Sequence, residues 1–535
     1  MVSPLTFLRT IRHLRPRQVT GQIAHRLAGP AQTPETISAH GCTGLAVDRV
    51  WGAPSGEGAA IDGGQRAALL GAPPYDPRAA GWQPEGRDPL WLYTLHYHGW
   101  INHPAANPDE IRGLLLHWIE HHRAGTGWEP YPTATRILHW LGWLVRHEGI
   151  VIGNQRRFVF SSLAAQLGHL ERHLERHLDG NHLWTNLCAL VTAGLVLDGP
   201  YPEQVGVRWL GPLVECVADQ LAADGGHRER TPSYHGLLAE QLLGVVRALE
   251  LRPSGPPSLA VALAEASARM IRVVPAFTHP DGDVALFGDS QLGLATGPRG
   301  LYQRAGLPLP EGHADAADSG FFRRAWGPWS VLWNAGGLGL PHQVGHIHGD
   351  ALSFELSLDG ERVLVDAGVG TYVIGDDRDY ARSTRAHNTV TVGEGDPDQH
   401  ELWASHRIGG RGRVSQDEAG DARLGGRVLG FRAQAEHRRT LSWHGGALRC
   451  HDTILGDAPA RARFHVPASA SVTAIDGGFE VESAGGRRFR ITAEPACAWE
   501  QAPARGWTAM GQAAPRIALT TRLPPGGATF SFTAA

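Results

Sequence analysis

The stretch Gly345-His346-Ile347-His348-Gly349-Asp350 sets two imidazoles two residues apart between glycines. Asp366 follows His348 after 18 residues (366 − 348), and His387 follows Asp366 after 21 (387 − 366). Imidazole nitrogen and carboxylate oxygen are zinc donors, usually in a tetrahedral set. This pattern reads as a metal ligand set. A second cluster lies upstream: Asn181-His182, then Glu229, Arg230, Tyr234 and His235. Each piece also has a plainer reading. Asn181 follows Asp179-Gly180 at a helix start and suits an N-cap. Pro232 and Ser233 suit a cap as well, with Tyr234 as a phenol at the core edge. In a regular strand His346 and His348 would face the same way, unless the flanking glycines kink the backbone and separate their roles. Asp366 fits a solvated strand end, and His387-Asn388 fits a turn.

The elements that must position these residues change character along the chain. Residues 31–90 are rich in Gly, Pro and Ala, and residues 1–90 as a whole are expected to be an irregular lead-in. From about 91 to 315 the apolar period is helical. Phe160, Leu163, Leu167, Leu170, Leu174 and Leu178 recur every three or four residues. Similar runs occupy 111–122, 135–147, 182–197, 205–221, 237–251 and 259–274, separated by Gly/Pro/Asp breaks. Stacked antiparallel hairpins follow, as a bundle or as an α/α toroid. From 316 to 535 the runs are short and alternating, with Asp359-Gly360 as a hairpin signal between 352–358 and 362–366. Helices first and antiparallel sheets second make a multidomain α+β chain. His169, His173 and His177, with Glu171, Arg172, Glu175 and Arg176 between them, read as one solvated helix face. Of the tryptophans Trp91, Trp100, Trp118, Trp128, Trp140, Trp143 and Trp184, most are expected in the core, with one or two able to stack on sugars in a cleft.

At 535 residues and a net charge of −4, the chain has material for several cores and no basic tract that reads as a nucleic-acid or membrane-surface patch. All 49 basic residues are arginine, which excludes Schiff-base and P-loop lysine chemistry. Five scattered cysteines, without a CxxC pair, indicate neither a disulfide framework nor a cysteine zinc site. No apolar run reaches transmembrane length, and the run Leu5–Leu8 is too short for a secretory signal. The expectation is a protein without membrane insertion, cytoplasmic by default, with a periplasmic address left open.

Several blocks in order resemble the heparinase II/III-like family of polysaccharide lyases. They are Trp91 to Tyr97, Trp128 to Thr133 with Arg136-Ile137, Ala351 to Leu356, Val365 to Tyr372, and Ser383 to Val390. The resemblance implies an incomplete α/α toroid followed by an antiparallel β-sandwich or stacked sheets. It also implies action on uronic-acid glycans, so the partner is an acidic polysaccharide or oligosaccharide. By the same resemblance Asn181, His182, Tyr234 and His346 line the active site, and His348, Asp366 and His387 hold one structural zinc. Arg136, Glu229 and Arg230 stand as substrate-binding candidates, since a guanidinium pairs well with a carboxylate.

Those residue types suit β-elimination. The C5 proton of a uronide is acidic enough only when the adjacent carboxylate is neutralised, which Asn181 and His182 can do in the manner of an oxyanion hole. A base then takes the proton and an acid protonates the leaving O4. Tyr234 can serve both steps on one face, its phenol activated by His182, Arg228 or Arg230. With proton and O4 on opposite faces, His346 is the base and Tyr234 the acid. Asp350 is a candidate partner behind the metal ligands. Three rivals use the same scaffold: a glycoside hydrolase with Asp224 and Glu229 as its carboxylates, a uronate C5-epimerase, and a non-catalytic glycan-binding protein of a polysaccharide assembly system.

Overall fold

Proline opens most of the long helices, where its fixed φ and missing N–H suit the first turn. The computed structural model describes residues 2–27, 41–42 and 58–535. Two helices, α1 (Pro4–Ile11) and α2 (Pro16–Leu27), come first. Then follow α3 (Pro89–Tyr97), α4 (Pro108–His121), α5 (Pro130–His147), α6 (Gly153–Arg172), α7 (Gly180–Val196), α8 (Pro200–Gln220), α9 (Pro232–Leu251), α10 (Pro257–Val273) and α11 (Gly297–Ala305). Alternate helices touch: α3 meets α5, α5 meets α7, α7 meets α9, and α9 meets α11. Outside them α4 packs on α6 and α8 on α10. This is an inner arc backed by an outer arc, the two layers of an incomplete α/α toroid. Burial follows the same logic. Every residue of α7 from Leu183 to Val196 is buried, as expected of a helix that is apolar all round.

After two small two-stranded pairs in the N-terminal half, the sheet that faces the helices is a meander of β1 (Ala314–Ala316), β2 (Phe321–Trp326), β3 (Trp329–Asn334), β4 (Ser353–Leu358) and β5 (Glu361–Leu364). Side chains alternate across a strand, and here the two faces serve different cores. Phe321 and Leu332 join the helical core, whereas Phe322, Val331 and Trp333 join the β core. That second core is closed by two further antiparallel sheets. One has eight strands, in the order Arg413–Ala419, Arg423–Leu429, Glu436–His444, Ala447–Leu455, Ala528–Ala534, Arg488–Glu494, Gly478–Glu482, Ser471–Ile475. The other has four: Val390–Val392, Ala460–Pro467, Arg516–Arg522, Trp499–Ala504. The β4–β5 hairpin turns on Asp359 and Gly360, both at positive φ (45° and 88°), as a two-residue primed turn requires.

Two expectations change. Residues 4–11 and 16–27 are helical rather than irregular. Part of the expected lead-in, 28–40 and 43–57, lies outside the described residues. Helix α6 stops at Arg172 instead of running through Leu178. Glu175 turns inward there, its N–H donating to Asn186 and its carboxylate accepting from the Asn186 amide. His169 is correspondingly buried, bonded to the Trp128 carbonyl, and not on a solvated face.

Candidate active site

Inner-arc helices deliver their first turns to one place. Asn181 and His182 begin α7, Tyr234 sits in the first turn of α9, and Tyr131 in that of α5. The entry to α7 is tight. Asp179 and Gly180 both have positive φ (61° and 52°), and a Cβ on Gly180 would lie 2.0 Å from Glu229 Oε1. The side chain of Asn181 is therefore not an N-cap. Its backbone N–H donates to Glu229 Oε1 at 2.9 Å and its amide to Glu229 Oε2 at 2.9 Å.

From the other side comes the β3–β4 connection, 335–352, whose stems Asn334 and Ser353 pair across the sheet. It carries His346 to 3.3 Å from the Asn181 amide (Nδ2 to Nε2). The His346 ring lies 4.4 Å from that of Tyr234, and the Tyr234 hydroxyl is 3.0 Å from the Tyr372 hydroxyl. The structure thus brings Asn181, Tyr234 and His346 together at the junction of toroid and sheets. His182 is one step along the same wall. It is bonded to Glu175 at 3.1 Å, packed on Tyr131 at 4.4 Å, and 30% exposed. Tyr131, Tyr97 and Tyr93 continue that wall as successive ring contacts.

Asp289 organises the far side. One oxygen is 2.8 Å from His346 Nδ1 and the other 2.7 Å from His348 Nε2. Arg378, on α12 (Asp376–Arg382), donates to both oxygens. Burial opposes the charge, but Arg378 and the two imidazole bonds outweigh it and hold Asp289 well below the usual carboxylate range. An ionised Asp289 keeps the proton of His346 on Nδ1 and leaves the Nε2 lone pair toward Asn181. Glu229 is likewise held low against its burial, by His227, His346 and the Asn181 bonds. His182 is raised: Glu175 overcomes the burial penalty. Burial, Tyr234 and Asp289 push the Tyr372 phenol well above its ordinary value, so it stays protonated. Burial and Arg378 lower His406, beside Tyr372, to about 3.

Two of the arginine assignments are corrected. Arg136 is fully buried in the toroid, donating to Gly127 O and Gln166 Oε1 and lying over the Trp118 ring. Arg230 is buried too, bonded to Ser319 O, Gly337 O and Asn334 Oδ1. Both guanidiniums are spent on these buried partners. Glu229 stays in the site, but as the anchor of Asn181. Asp224, its would-be partner in hydrolysis, caps Ser319 and Gly226 instead. The tryptophans named above are all core, at 0–2% exposure, and tyrosines take the cleft positions. Asp350 accepts from the Gly288 N–H and so braces the Asp289 loop, and its charge also acts on His387.

The zinc set is partly assembled. His387 Nδ1 is 2.9 Å from both Asp366 oxygens, and its ring is 5.4 Å from that of His348. His348 Nδ1 and His387 Nε2 are buried without a hydrogen-bond partner. The described group whose donor atoms all lie within 4.8 Å of one another is a different one: Asp289, His346 and His406. That group is a poor cation site, because the buried guanidinium of Arg378 already occupies both oxygens of its only carboxylate.

Sequence reasoning missed Asp289, Tyr372 and His406. Asp289 looks like turn chemistry in Phe287-Gly288-Asp289-Ser290, and no periodicity marks it. Tyr372 stands inside the block Val365 to Tyr372, where a lone Tyr at a loop gave no sign of facing Tyr234.

Residues 308–532 match the family model Heparinase II/III-like, C-terminal. No curated protein sequence matches the chain. Among solved structures, a heparinase III is similar over 100% of this chain and 94% of its own, at 16% identity and TM-score 0.69. A mutant heparan sulfate lyase from Pedobacter heparinus is similar over 87% of this chain and 80% of its own, at 17% identity and TM-score 0.58. At these identities the likeness establishes a shared fold: toroid followed by antiparallel sheets.

Proposed function

We propose that the protein is a polysaccharide lyase that cleaves uronic-acid glycans by β-elimination. One observation carries the reading. An imidazole with its Nδ1 held by a buried carboxylate faces a phenol and a buried amide at the toroid–sheet junction. The sequence resemblance and the shared fold with a heparinase III and a heparan sulfate lyase support it.

In this reading the second N–H of Asn181, now near His346 Nε2, turns to the substrate carboxylate. His182 adds positive charge from the wall, and the C5 proton becomes acidic. The Nε2 lone pair of His346 takes that proton as the C4–O4 bond breaks and the C4=C5 bond forms. Tyr234 supplies the proton to the departing O4, and the Tyr372 hydroxyl, 3.0 Å away, stays protonated and stabilises the Tyr234 phenolate by a hydrogen bond; after product leaves, the C5 proton passes from His346 to solvent and Tyr234 regains its proton from solvent. Where proton and O4 share a face, Tyr234 carries both steps. Tyr93, Tyr97 and Tyr131 offer ring faces for flanking sugars.

Zinc belongs to the same proposal. His348 Nδ1 and His387 Nε2 are orphaned, while the Asp366 carboxylate holds the other nitrogen, Nδ1, of the His387 ring; imidazole nitrogen and carboxylate oxygen are zinc donors. These three residues would hold the ion, which when bound ties the His346 loop to the sheet. The test is product mass on a panel of acidic polysaccharides. Elimination gives an unsaturated fragment one water lighter than the hydrolysis product. Fragments that have gained water refute the reading in favour of a hydrolase.

A further inference from the structure

Helix α12 has two working faces. Arg378 turns inward to Asp289. Tyr380, two residues on and so about 200° round the helix, lies on the opposite side. There its ring floors a cavity of about 340 Å³ whose walls are Arg385, Pro503, Ala504 and Arg505. That volume falls within the range of about 300–1,000 Å³ found for small-ligand clefts. Both guanidiniums lean over the Tyr380 ring, Arg505 with its Cζ 4.7 Å and Arg385 with its Cζ 5.6 Å from the centroid. The attraction of a cation to an aromatic face orients both forks before any ligand arrives.

The backbone under each arginine is anchored. Buried Arg516 donates through Nε and Nη2 to the Arg505 carbonyl, at 2.8 and 2.6 Å. Arg385 stands in the turn Thr384–Ala386, where the Thr384 N–H donates to Asp398 at 2.7 Å. The side-chain donors, by contrast, are largely unspent. Arg385 is exposed and makes no hydrogen bond among the described residues. Arg505 engages only its Nη1, with Asp377 at 2.7 Å, in a pair whose side chains are 45% and 54% exposed. An ion pair in that much water is weak, and an incoming anion exchanges with it. The guanidiniums of Arg378, Arg382 and Arg516, also around α12, differ in being buried on internal partners. Pro503 and Ala504 close the edge strand Trp499–Ala504 and offer the cavity an apolar side.

We propose that this cavity between α12 and the edge strand is a second glycan-binding site, outside the cleft. Arg385 and Arg505 take the carboxylate or sulfate of an acidic sugar, since a guanidinium fork matches either oxyanion. Pro503, Ala504 and the Tyr380 ring take its C–H face. The choice of an acidic glycan as occupant rests on the lyase reading. The site holds the polymer on the far side of the helix that carries Arg378, and leaves the cleft to the bond being cut.

The test is isothermal titration of full-length His346→Ala protein, which consumes no glycan in the proposed mechanism. The probes are a galacturonate hexamer, which carries carboxylates only, and a heparan sulfate hexasaccharide, which adds sulfates. At low salt the expected result is two sites per chain for at least one probe. Arg385→Ala/Arg505→Ala in the same protein should weaken one site about tenfold or more and leave the other, with an unchanged thermal midpoint because both side chains are largely exposed. Heparan sulfate alone at the second site assigns it to sulfate, and the galacturonate hexamer there assigns it to carboxylate; either result supports the proposal. A single site per chain, no site for either probe, or a second site that survives Arg385→Ala/Arg505→Ala overturns it. The lyase reading fails on a different signal, the absence of unsaturated product from the wild type, whatever the number of sites.

Discussion

Replacing Asp289 by Asn separates the chemistry of the site from its stability. The carboxylate is fully buried, takes two bonds from an equally buried Arg378, and holds one nitrogen each of His346 and His348. Asn is nearly isosteric but uncharged. It leaves Arg378 without its buried counter-charge, which costs about 3–5 kcal/mol. Its amide N–H can also donate to His346 Nδ1, which moves the ring proton to Nε2 and removes the lone pair that the elimination needs. Loss of a correctly held base costs about 10²–10⁴-fold in turnover, and the upper end applies when the tautomer is reversed. The double variant Asp289→Asn/Arg378→Gln removes both ionic partners and should recover much of the stability, because no unpaired charge remains. It should not recover turnover, because His346 is still unheld. Urea unfolding and initial rates on a cleaved glycan read the two effects separately. Near-normal turnover in Asp289→Asn, or turnover that returns with stability in the double variant, would falsify the assignment of Asp289 as the residue that holds His346.

Tyr234→Phe keeps the ring against His346 and removes only the hydroxyl shared with Tyr372; turnover should fall about 10²–10⁴-fold with little change in thermal midpoint. Gly180→Ala places a Cβ 2.0 Å from Glu229 Oε1 at a positive φ, so it should lower both stability and turnover, and a fully active, equally stable variant would contradict the α7 entry geometry. His348→Ala should lower bound zinc by elemental analysis and reduce thermal stability together with activity, because the metal clip couples to folding. His182 has a folded pKa raised by Glu175, so its positive charge is complete below the unfolded value of about 6.5 and is lost as pH rises through the folded value. KM for an anionic glycan should rise over that window, and His182→Gln should flatten the rise.

Much of the architecture was legible in the sequence because its periods were clean. The run 182–197 became α7, and Asp359-Gly360 became the β4–β5 turn, since apolar spacing and turn chemistry act locally. The N-terminal helices were not legible: Pro4–Leu27 keeps its apolar residues outside, so periodicity could not mark a buried face. The site was half legible. Tyr234 and His346 carry side chains whose types announce proton transfer, and Asn181 one that can neutralise a carboxylate. Arg136 and Arg230 misled because a guanidinium looks alike whether it binds a ligand or backbone carbonyls in a core. Asp289 was hidden because its role depends on Arg378 and His346, 89 and 57 residues away in sequence, and no local pattern encodes that meeting.

The most direct test of elimination chemistry at this cleft is ultraviolet absorbance of new unsaturated uronate ends, followed during incubation with heparan sulfate, chondroitin, hyaluronan, alginate and pectate, with His346→Ala run beside the wild type. The account predicts rising absorbance on at least one glycan for the wild type and none for His346→Ala. Chain scission without the chromophore, C5 proton exchange without scission, or equal absorbance from His346→Ala would contradict it.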